Sequence, residues 1–469
     1  MASDRPNILL ITSDQHRGDA LGCVGHPCIQ TPHLDQLAYE GVRFRNAYVD
    51  CPVCIPARTT LVTGIQSHIY GSPSYNADYR IEREREKFLG SLITQAGYQT
   101  ELVGKTHWHT EGSFRAGFEH VLPLSMLSKE RVKKTGRSTN LTGLGGNEIL
   151  PGLSQFPPEL CSTDWVIDRC LDFLETRDKT QPFFLWTSMI HPHPELAIHE
   201  PYFSMYDNAD IPEAVMGDWV DTDAYPLALY EHRWRWNSGP LPPWQLRKAR
   251  GVYYGMITNI DHQLGRLFGR LMREDEWDNT LVIYTSDHGE QLGDHGDAGK
   301  TTFCESSANV PFIVRPPKGV DVEPGRESGA LIEWADILPT LCDVADAEVP
   351  DDVTGTSIMP IVDGRAEKVR ETLHGQINGS HMFHDGQYKY LYFVEDGKEL
   401  LFDVTEDRND AVLLGGEKMD EIRERFKLHL AEEGHEHLID GELLNQEQEK
   451  PPVNRLRARN PSGWRGAAR

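Results

Sequence analysis

The sequence predicts an α/β fold, with a large, mostly parallel central sheet flanked by helices and a smaller C-terminal antiparallel α+β unit. Three observations predict it. Continuous apolar runs, such as Ile8–Ile11 and Leu281–Tyr284, alternate with helical patterns, and wholly apolar strands belong in a sheet covered on both faces. Near residue 370 the texture changes to short strands with Asp-Gly turns, the mark of antiparallel hairpins. A chain of 469 residues, 39% hydrophobic, can bury one large core and a second, smaller one.

In chain order, residues 7–12 read as a buried strand and 33–41 as a helix opened by Thr31-Pro32. Residues 98–103 and 182–188 read as strands. Residues 163–177 and 246–273 have helical periodicity, the second with Ile257, Ile260, Leu264, Leu267, Phe268 and Leu271 on one side. Residues 280–286 and 311–314 are further strands. In the C-terminal unit, 388–394 and 399–403 read as hairpin strands with Asp-Gly turns at 385–386 and 396–397, and a helix follows near 417–433.

The expected organisation is a main unit over 1–369, a small antiparallel sheet plus helix over 370–440, and a basic tail over 441–469. Within the main unit, 196–245 is a polar, Pro-rich insertion near the substrate pocket. Its Trp219, Trp234, Trp236 and Trp244 either line that pocket or pin the insertion to the body. Residues 450–469 carry six basic residues and no acidic one. They form either a frayed tail or an arm around an acidic neighbouring subunit, which leaves a homo-oligomer open.

Asp and Glu total 72 against 47 Lys and Arg, a formal net charge of −25. Such a surface repels nucleic acid and anionic lipid, so neither is an expected partner. An anionic substrate would require a local cluster of cations. The apolar run at 8–11 is too short for a signal h-region, and no stretch approaches membrane-spanning length, so the expected location is cytoplasmic. The eight scattered cysteines do not demand a disulfide framework. Cys51 and Cys54 form a C-x-x-C, but no second pair stands at zinc-finger spacing and no thioredoxin-like pattern surrounds it.

The chemistry is expected at the C-terminal ends of strands, where α/β sheets collect ligands. Strand 7–12 runs into Ser13-Asp14-Gln15-His16, and strand 280–286 into Asp287-His288-Gly289-Glu290. Asp14, the amide oxygen of Gln15, Asp287 and a ring nitrogen of His288 would make a mixed oxygen and nitrogen metal site. A lone Asp after a strand is more often a cap or turn residue. The segment Cys51-Pro-Val-Cys54-Ile-Pro56-Ala-Arg58-Thr-Thr-Leu-Val-Thr-Gly64 adds a cysteine at the start of a helix that ends at Gly64. A helix N-terminus lowers a thiol pKa or binds an anion, and Arg58 adds positive charge one turn on.

The run Cys54-x-Pro56-x-Arg58, with Gly64 six residues on, resembles the signature by which sulfatases of the alkaline phosphatase superfamily have a cysteine oxidised to formylglycine. Cys51 does not fit, because Val53 stands where the proline should be. Asp14 with Gln15 and Asp287 with His288 are similar to that family's two metal-ligand pairs. Gly104-Lys105-Thr106-His107 resembles its G-K-x-H motif, and Pro192-His193-Pro194 its P-H-x-P region. Gly299-Lys300 resembles its second sulfate-binding lysine. Residues 386–390 and 399–403 resemble its small C-terminal sheet. Any one of these motifs arises by chance; all of them in the family's order do not.

The resemblance implies an alkaline phosphatase-like fold and hydrolysis of a small-molecule sulfate ester to alcohol and sulfate. It implies that a separate formylglycine-generating enzyme matures Cys54 to formylglycine (3-oxoalanine), held as its hydrate. It implies one divalent cation on Asp14, Gln15, matured Cys54, Asp287 and His288. Calcium is the usual family ion. Gln15 in place of the commoner Asp and His288 in place of a common Asn keep manganese or magnesium open. Arg58, Lys105 and Lys300 would neutralise the sulfate oxygens, His193 with Lys300 would protonate the leaving oxygen, and His107 would take a proton from the second hydroxyl. Asn76 would contact substrate. The nearest alternative is a phosphonate monoester or phosphodiester hydrolase of the same superfamily. A silent binding protein on the same fold and a thiol oxidoreductase are weaker, since both metal aspartates are present and the redox pattern is not.

Overall fold

The architecture is that of a computed structural model, which describes residues 5–110, 114–140, 146–236 and 241–451. The Trp236 side chain and tail residues 452–469 of the expected basic arm lie outside the described residues. The main sheet has eight strands: β1 (Asn7–Asp14), β2 (Val42–Tyr48), β3 (Gln99–Gly104), β4 (His120–Pro123), β5 (Phe183–Pro192), β6 (Thr280–Ser286), β7 (Phe312–Arg315) and β8 (Arg326–Glu333). Their spatial order is β8-β2-β7-β6-β1-β5-β3-β4. All neighbours pair parallel except β7, which is antiparallel to β2 and β6.

That exception has a local cause. A parallel return needs a crossover over the sheet face. The segment 287–311 instead stays at the end of β6, with only the short turns Asp294–Gly296 and Glu305–Ala308, so β7 re-enters the sheet from the same end. Strand β2 did not stand out in the sequence. Its Val-Arg-Phe-Arg pattern alternates, with Arg43 and Arg45 both reaching Glu327 on β8 near the sheet edge.

The helices used below are α1 (Pro32–Glu40), α2 (Cys54–Thr63), α3 (Ser162–Thr176), α4 (Pro243–Arg273) and α5 (Ile337–Ala345). Strand β1 shows why the sheet is covered twice. Ile8 and Leu10 pack with Leu61 and Val62 of α2 and Leu338 and Leu341 of α5. Leu9 and Ile11, pointing the other way, pack with Trp165 and Ile167 of α3 and Ile260 and Leu264 of α4. Each such side chain contributes about 1.5–3 kcal/mol by leaving water.

Four consecutive strands form the second sheet: β9 (Leu373–Ile377), β10 (Ser380–His384), β11 (Tyr388–Phe393) and β12 (Lys398–Asp403), all antiparallel in chain order. One face holds α6 (Glu417–Glu433) through Ile422, Phe426 and Leu430. The other packs Met382, Leu391, Leu400 and Phe402 against Trp219, Tyr225 and Phe303. Trp219 is 1% exposed, and its indole N–H donates to the Asp410 carbonyl at 2.7 Å. This tryptophan therefore pins the insertion to the body. Trp244 is 70% exposed.

The two sheets meet at Asp50. Its carbonyl accepts from Gln376 N–H at 2.8 Å, while its carboxylate accepts from Ser67 N–H at 2.6 Å and from Thr60 Oγ1 at 3.2 Å. The C-terminal sheet is thus tied to both ends of α2. Among the described residues, no helix is long and apolar enough to cross a membrane.

Candidate active site

Helix α2 begins at Cys54, and all ten of its residues are buried. Val53 before it is extended, Pro56 lies in the first turn, and Gly64 ends it at φ +69°, donating to Thr60 O at 2.7 Å. Cys54 thus sits at the positive end of a buried helix dipole, 3% exposed.

The sheet register brings the two aspartates together. Ser13 of β1 pairs with Ser286 of β6, so Asp14 and Asp287 leave adjacent strands side by side. The chain turns after Asp14 through Gln15 at φ +71°. Three bonds hold that left-handed turn. Gln15 N–H donates to Asp287 Oδ1 at 3.1 Å, Gln15 O accepts from Tyr253 OH at 2.7 Å, and the Gln15 amide N–H donates to Glu290.

One ligand atom from each of Asp14, Cys54, Asp287 and His288 lies within 4.8 Å of the others. Cys54 Sγ is 3.2 Å from His288 Nε2 and 3.8 Å from Asp14 Oδ1. His288 Nδ1 donates to the Gly289 carbonyl at 2.9 Å, which aims Nε2 at Cys54; against burial, Asp287 and Cys54 raise this imidazole above its ordinary value.

Cations close the ring. Arg58 Nε donates to Asp287 Oδ2 at 2.7 Å, and both side chains are fully buried. Arg58 Nη1 donates to Ser188 Oγ at 2.9 Å and to Lys105 O at 3.2 Å, while Nη2 is buried with no hydrogen-bond partner among the described residues. Lys105 Nζ donates to Asp14 Oδ2. Lys300 Nζ lies 2.7 Å from Gln15 Oε1, 2.7 Å from His193 Nε2 and 3.5 Å from Cys54 Sγ. His193 Nδ1–H donates to Pro194 O at 2.5 Å, so its Nε2 accepts from Lys300.

This electrostatic field decides protonation. Burial alone would raise the Cys54 thiol, but Lys105, Lys300, His288 and a hydrogen bond from His107 hold it well below its ordinary value. Burial likewise opposes ionisation of Asp14, and the neighbouring ammonium groups of Lys105 and Lys300 outweigh it, keeping the carboxylate below its usual range. Asp287 moves the other way: burial and Asp14 raise it, with Arg58 offsetting part. Two adjacent buried carboxylates of this kind form a place for added positive charge.

The structure therefore brings together Asp14, Gln15, Cys54, Arg58, Lys105, His107, His193, Asp287, His288 and Lys300. Asn76 is exposed, and its side-chain oxygen caps its own turn, accepting from Asp78 N–H at 3.1 Å and Tyr79 N–H at 3.2 Å. Two contributors escaped sequence reasoning. Ser188 on β5 links Arg58 to the Lys105 carbonyl, to which it donates at 2.6 Å. Glu290 orients the Gln15 amide and accepts from Leu292 N–H at 2.8 Å. Its place in the Asp-His-Gly-Glu run was the available signal. Gly104 at φ +115° makes the Lys105 approach possible: a Cβ there would lie 1.8 Å from Ser188 O.

The donor set fits a hard divalent cation. Two carboxylates and an amide oxygen converge with one imidazole, and the two lysine ammonium groups already aim at the oxygens of Asp14 and Gln15. His193 also lines a cleft with Leu127, Arg131, Ser162 and His191.

The chain is similar to known proteins over most of its length. The family model described as Sulfatase matches residues 6–347, and that of N-sulphoglucosamine sulphohydrolase, C-terminal, matches 293–436. An arylsulfatase of Clostridium perfringens is 33% identical over 434 residues, covering 86% of this chain and 89% of its own. The multifunctional alkaline phosphatase superfamily protein PehA of Trinickia caryophylli is 28% identical over 449 residues, covering 86% of each. Among solved structures, a phosphonate monoester hydrolase of Agrobacterium radiobacter superposes with a TM-score of 0.78 at 25% identity, covering 91% of this chain and 95% of its own.

Proposed function

The chain belongs to the sulfatase family and is a sulfuric ester hydrolase; on that premise we propose that Cys54 is the precursor of its nucleophile, matured to formylglycine by a separate enzyme. The observation that carries the reading is the position of Cys54 Sγ at the start of α2, within 4.8 Å of ligand atoms of Asp14, Asp287 and His288 and ringed by Arg58, Lys105 and Lys300.

Asp14, Gln15, Asp287 and His288 would hold one divalent cation, calcium first and manganese or magnesium as alternatives. When bound, the cation supplies Lewis-acid charge that neutralises an ester oxygen and favours an ionised nucleophile. The matured side chain supplies a hydroxyl on a carbon that can return to the aldehyde, which a Ser or Cys side chain cannot do. Arg58 Nη2, without a partner among the described residues, together with Lys105 and Lys300, balances charge on the sulfate oxygens. Lys300 and His193, 2.7 Å apart, hand a proton to the leaving alcohol. His107, hydrogen-bonded at position 54, takes a proton from that side chain. Arg131, Leu127 and His191 in the neighbouring cleft would face the alcohol half.

A second reading, hydrolysis of phosphonate monoesters or phosphodiesters, is favoured by the likeness in fold to the Agrobacterium enzyme. Turnover of matched aryl sulfate, aryl phosphonate and aryl phosphodiester substrates by metal-loaded enzyme separates the two. Mass spectrometry of the Cys54 peptide tests the nucleophile. An unmodified thiol in fully active protein overturns the formylglycine reading.

A further inference from the structure

Six of the chain's 20 histidines gather away from the Cys54 site. His68 follows α2, His374 lies on β9, His381 on β10, His429 on α6, and His435 and His437 just beyond α6. Gly434, at φ +64°, ends α6 and turns the chain so that the His435-Glu436-His437 run folds back onto the sheet. The imidazoles of His381, His435 and His437 pack edge to face. Ring centroids are 5.1 Å apart for His381 and His435, 5.0 Å for His381 and His437, and 5.0 Å for His435 and His437.

A ring nitrogen from each of His381, His435 and His437 lies within 4.8 Å of the others. Three nitrogens about 2.0–2.1 Å from one tetrahedral ion are separated by roughly 3.4 Å. Small ring rotations convert the observed triangle into that arrangement, opening the 2.7 Å contact between His381 Nε2 and His437 Nδ1.

The groups behind the triangle are arranged as metal sites require. Glu433 accepts from His374 Nδ1 at 3.1 Å, so neutral His374 presents an unprotonated Nε2. That nitrogen accepts from His381 Nδ1–H at 3.1 Å, which frees His381 Nε2 for a ligand. The carboxylate–imidazole–imidazole relay fixes the His381 tautomer just as a carboxylate fixes a metal-ligating histidine. His435 Nε2 is anchored by donating to Gln376 Oε1 at 2.9 Å, and its Nδ1 accepts from His437 N–H at 3.1 Å, a bond that a metal on Nδ1 would replace. Burial excludes the ordinary explanation of a solvated histidine patch, since His374 and His381 are 2% and 1% exposed. His68 completes the lining, with its Nδ1 buried and unpartnered among the described residues.

We propose that His381, His435 and His437 form a second metal site, of the zinc class that imidazole donors favour, joining the end of α6 to the C-terminal sheet. Metal bound there staples the segment after α6 onto β10. Glu433 is a positioning residue that acts through His374. The site is independent of the sulfatase reading, because zinc content reports on it whether or not Cys54 is matured.

The test uses the full chain, stripped by chelator and dialysed against zinc alone, with zinc per chain counted by mass spectrometry. The wild type retains about one more zinc equivalent than the His435→Ala/His437→Ala double variant, and zinc raises Tm more in the wild type than in the variant. Cobalt substitution gives the wild type a tetrahedral visible band that the variant lacks. Glu433→Gln keeps the site but weakens zinc retention about 10- to 100-fold. If the double variant does not fold, His437→Gln alone, at the half-buried rim, takes its place. Equal zinc content in wild type and variants, or a wild-type Tm indifferent to zinc, overturns the site.

Discussion

Arg58 Nε lies 2.7 Å from Asp287 Oδ2, and neither side chain touches solvent. This pair couples the candidate metal site to the helix that carries Cys54, and its removal has a cost separate from catalysis. Asp287→Ala leaves a buried guanidinium uncompensated, a loss of about 3–5 kcal/mol. The expected outcome is loss of turnover together with a lower Tm, read by thermal unfolding of the metal-free protein.

Cys54→Ala behaves differently. The thiol forms no covalent link and supports no other element, so the folded protein survives the change. Aryl sulfate turnover should fall by at least about 10³-fold, with Tm within a few degrees of the wild type. Retained activity in this variant would remove Cys54 from the mechanism.

Chelation should separate metal from fold. Treatment with a strong chelator is expected to abolish sulfate ester hydrolysis, and adding back calcium, manganese or magnesium one at a time identifies the competent ion. Glu290→Ala frees the Gln15 amide, so the metal needed for half-maximal activity should rise about 10- to 100-fold. An unchanged metal requirement would show that Glu290 does not orient Gln15.

A pH prediction comes from His384, well away from the reacting groups. It accepts from Gly386 N–H at 2.9 Å and lies 3.2 Å from Tyr48 OH, with Glu305, Lys389, Arg408 and Asp385 nearby. Burial pushes its pKa down to about 4. An imidazole kept neutral in the fold contributes its full stability above its ordinary value near 6.5. It loses that contribution as pH falls from there to about 4, on the order of 3 kcal/mol in all. Tm measured across that range should fall in the wild type, and His384→Gln should flatten part of the fall.

The parts of the site that were legible in the sequence are those fixed by local chain geometry. Asp14 and Asp287 follow apolar strands, and Cys54 heads a helix that Gly64 ends, so each announced itself within a dozen residues. Ser188 and Glu290 did not, because their work is to hold Arg58 and Gln15, and those contacts exist only once β5 and the loop after β6 meet. The same holds for the fold. Strands with apolar cores were visible, whereas β2, with Arg43 and Arg45 on its edgeward side, reads as a polar stretch until Glu327 is placed beside it. The histidine triangle is the extreme case. Only His435 and His437 are close in sequence, and His381 reaches them through a hairpin and a helix.

The complete burial of α2 sets an order of events in the life of the chain. A modifying enzyme cannot grip a cysteine that is 3% exposed within a helix buried at every position. Maturation as proposed must therefore act on a nascent or unfolded polypeptide. The deadline comes when the four-stranded antiparallel sheet arrives and Gln376 clasps Asp50. Protein that folds first with a plain thiol would be locked in that form, and supplying the oxidising enzyme afterwards would not rescue it without denaturation.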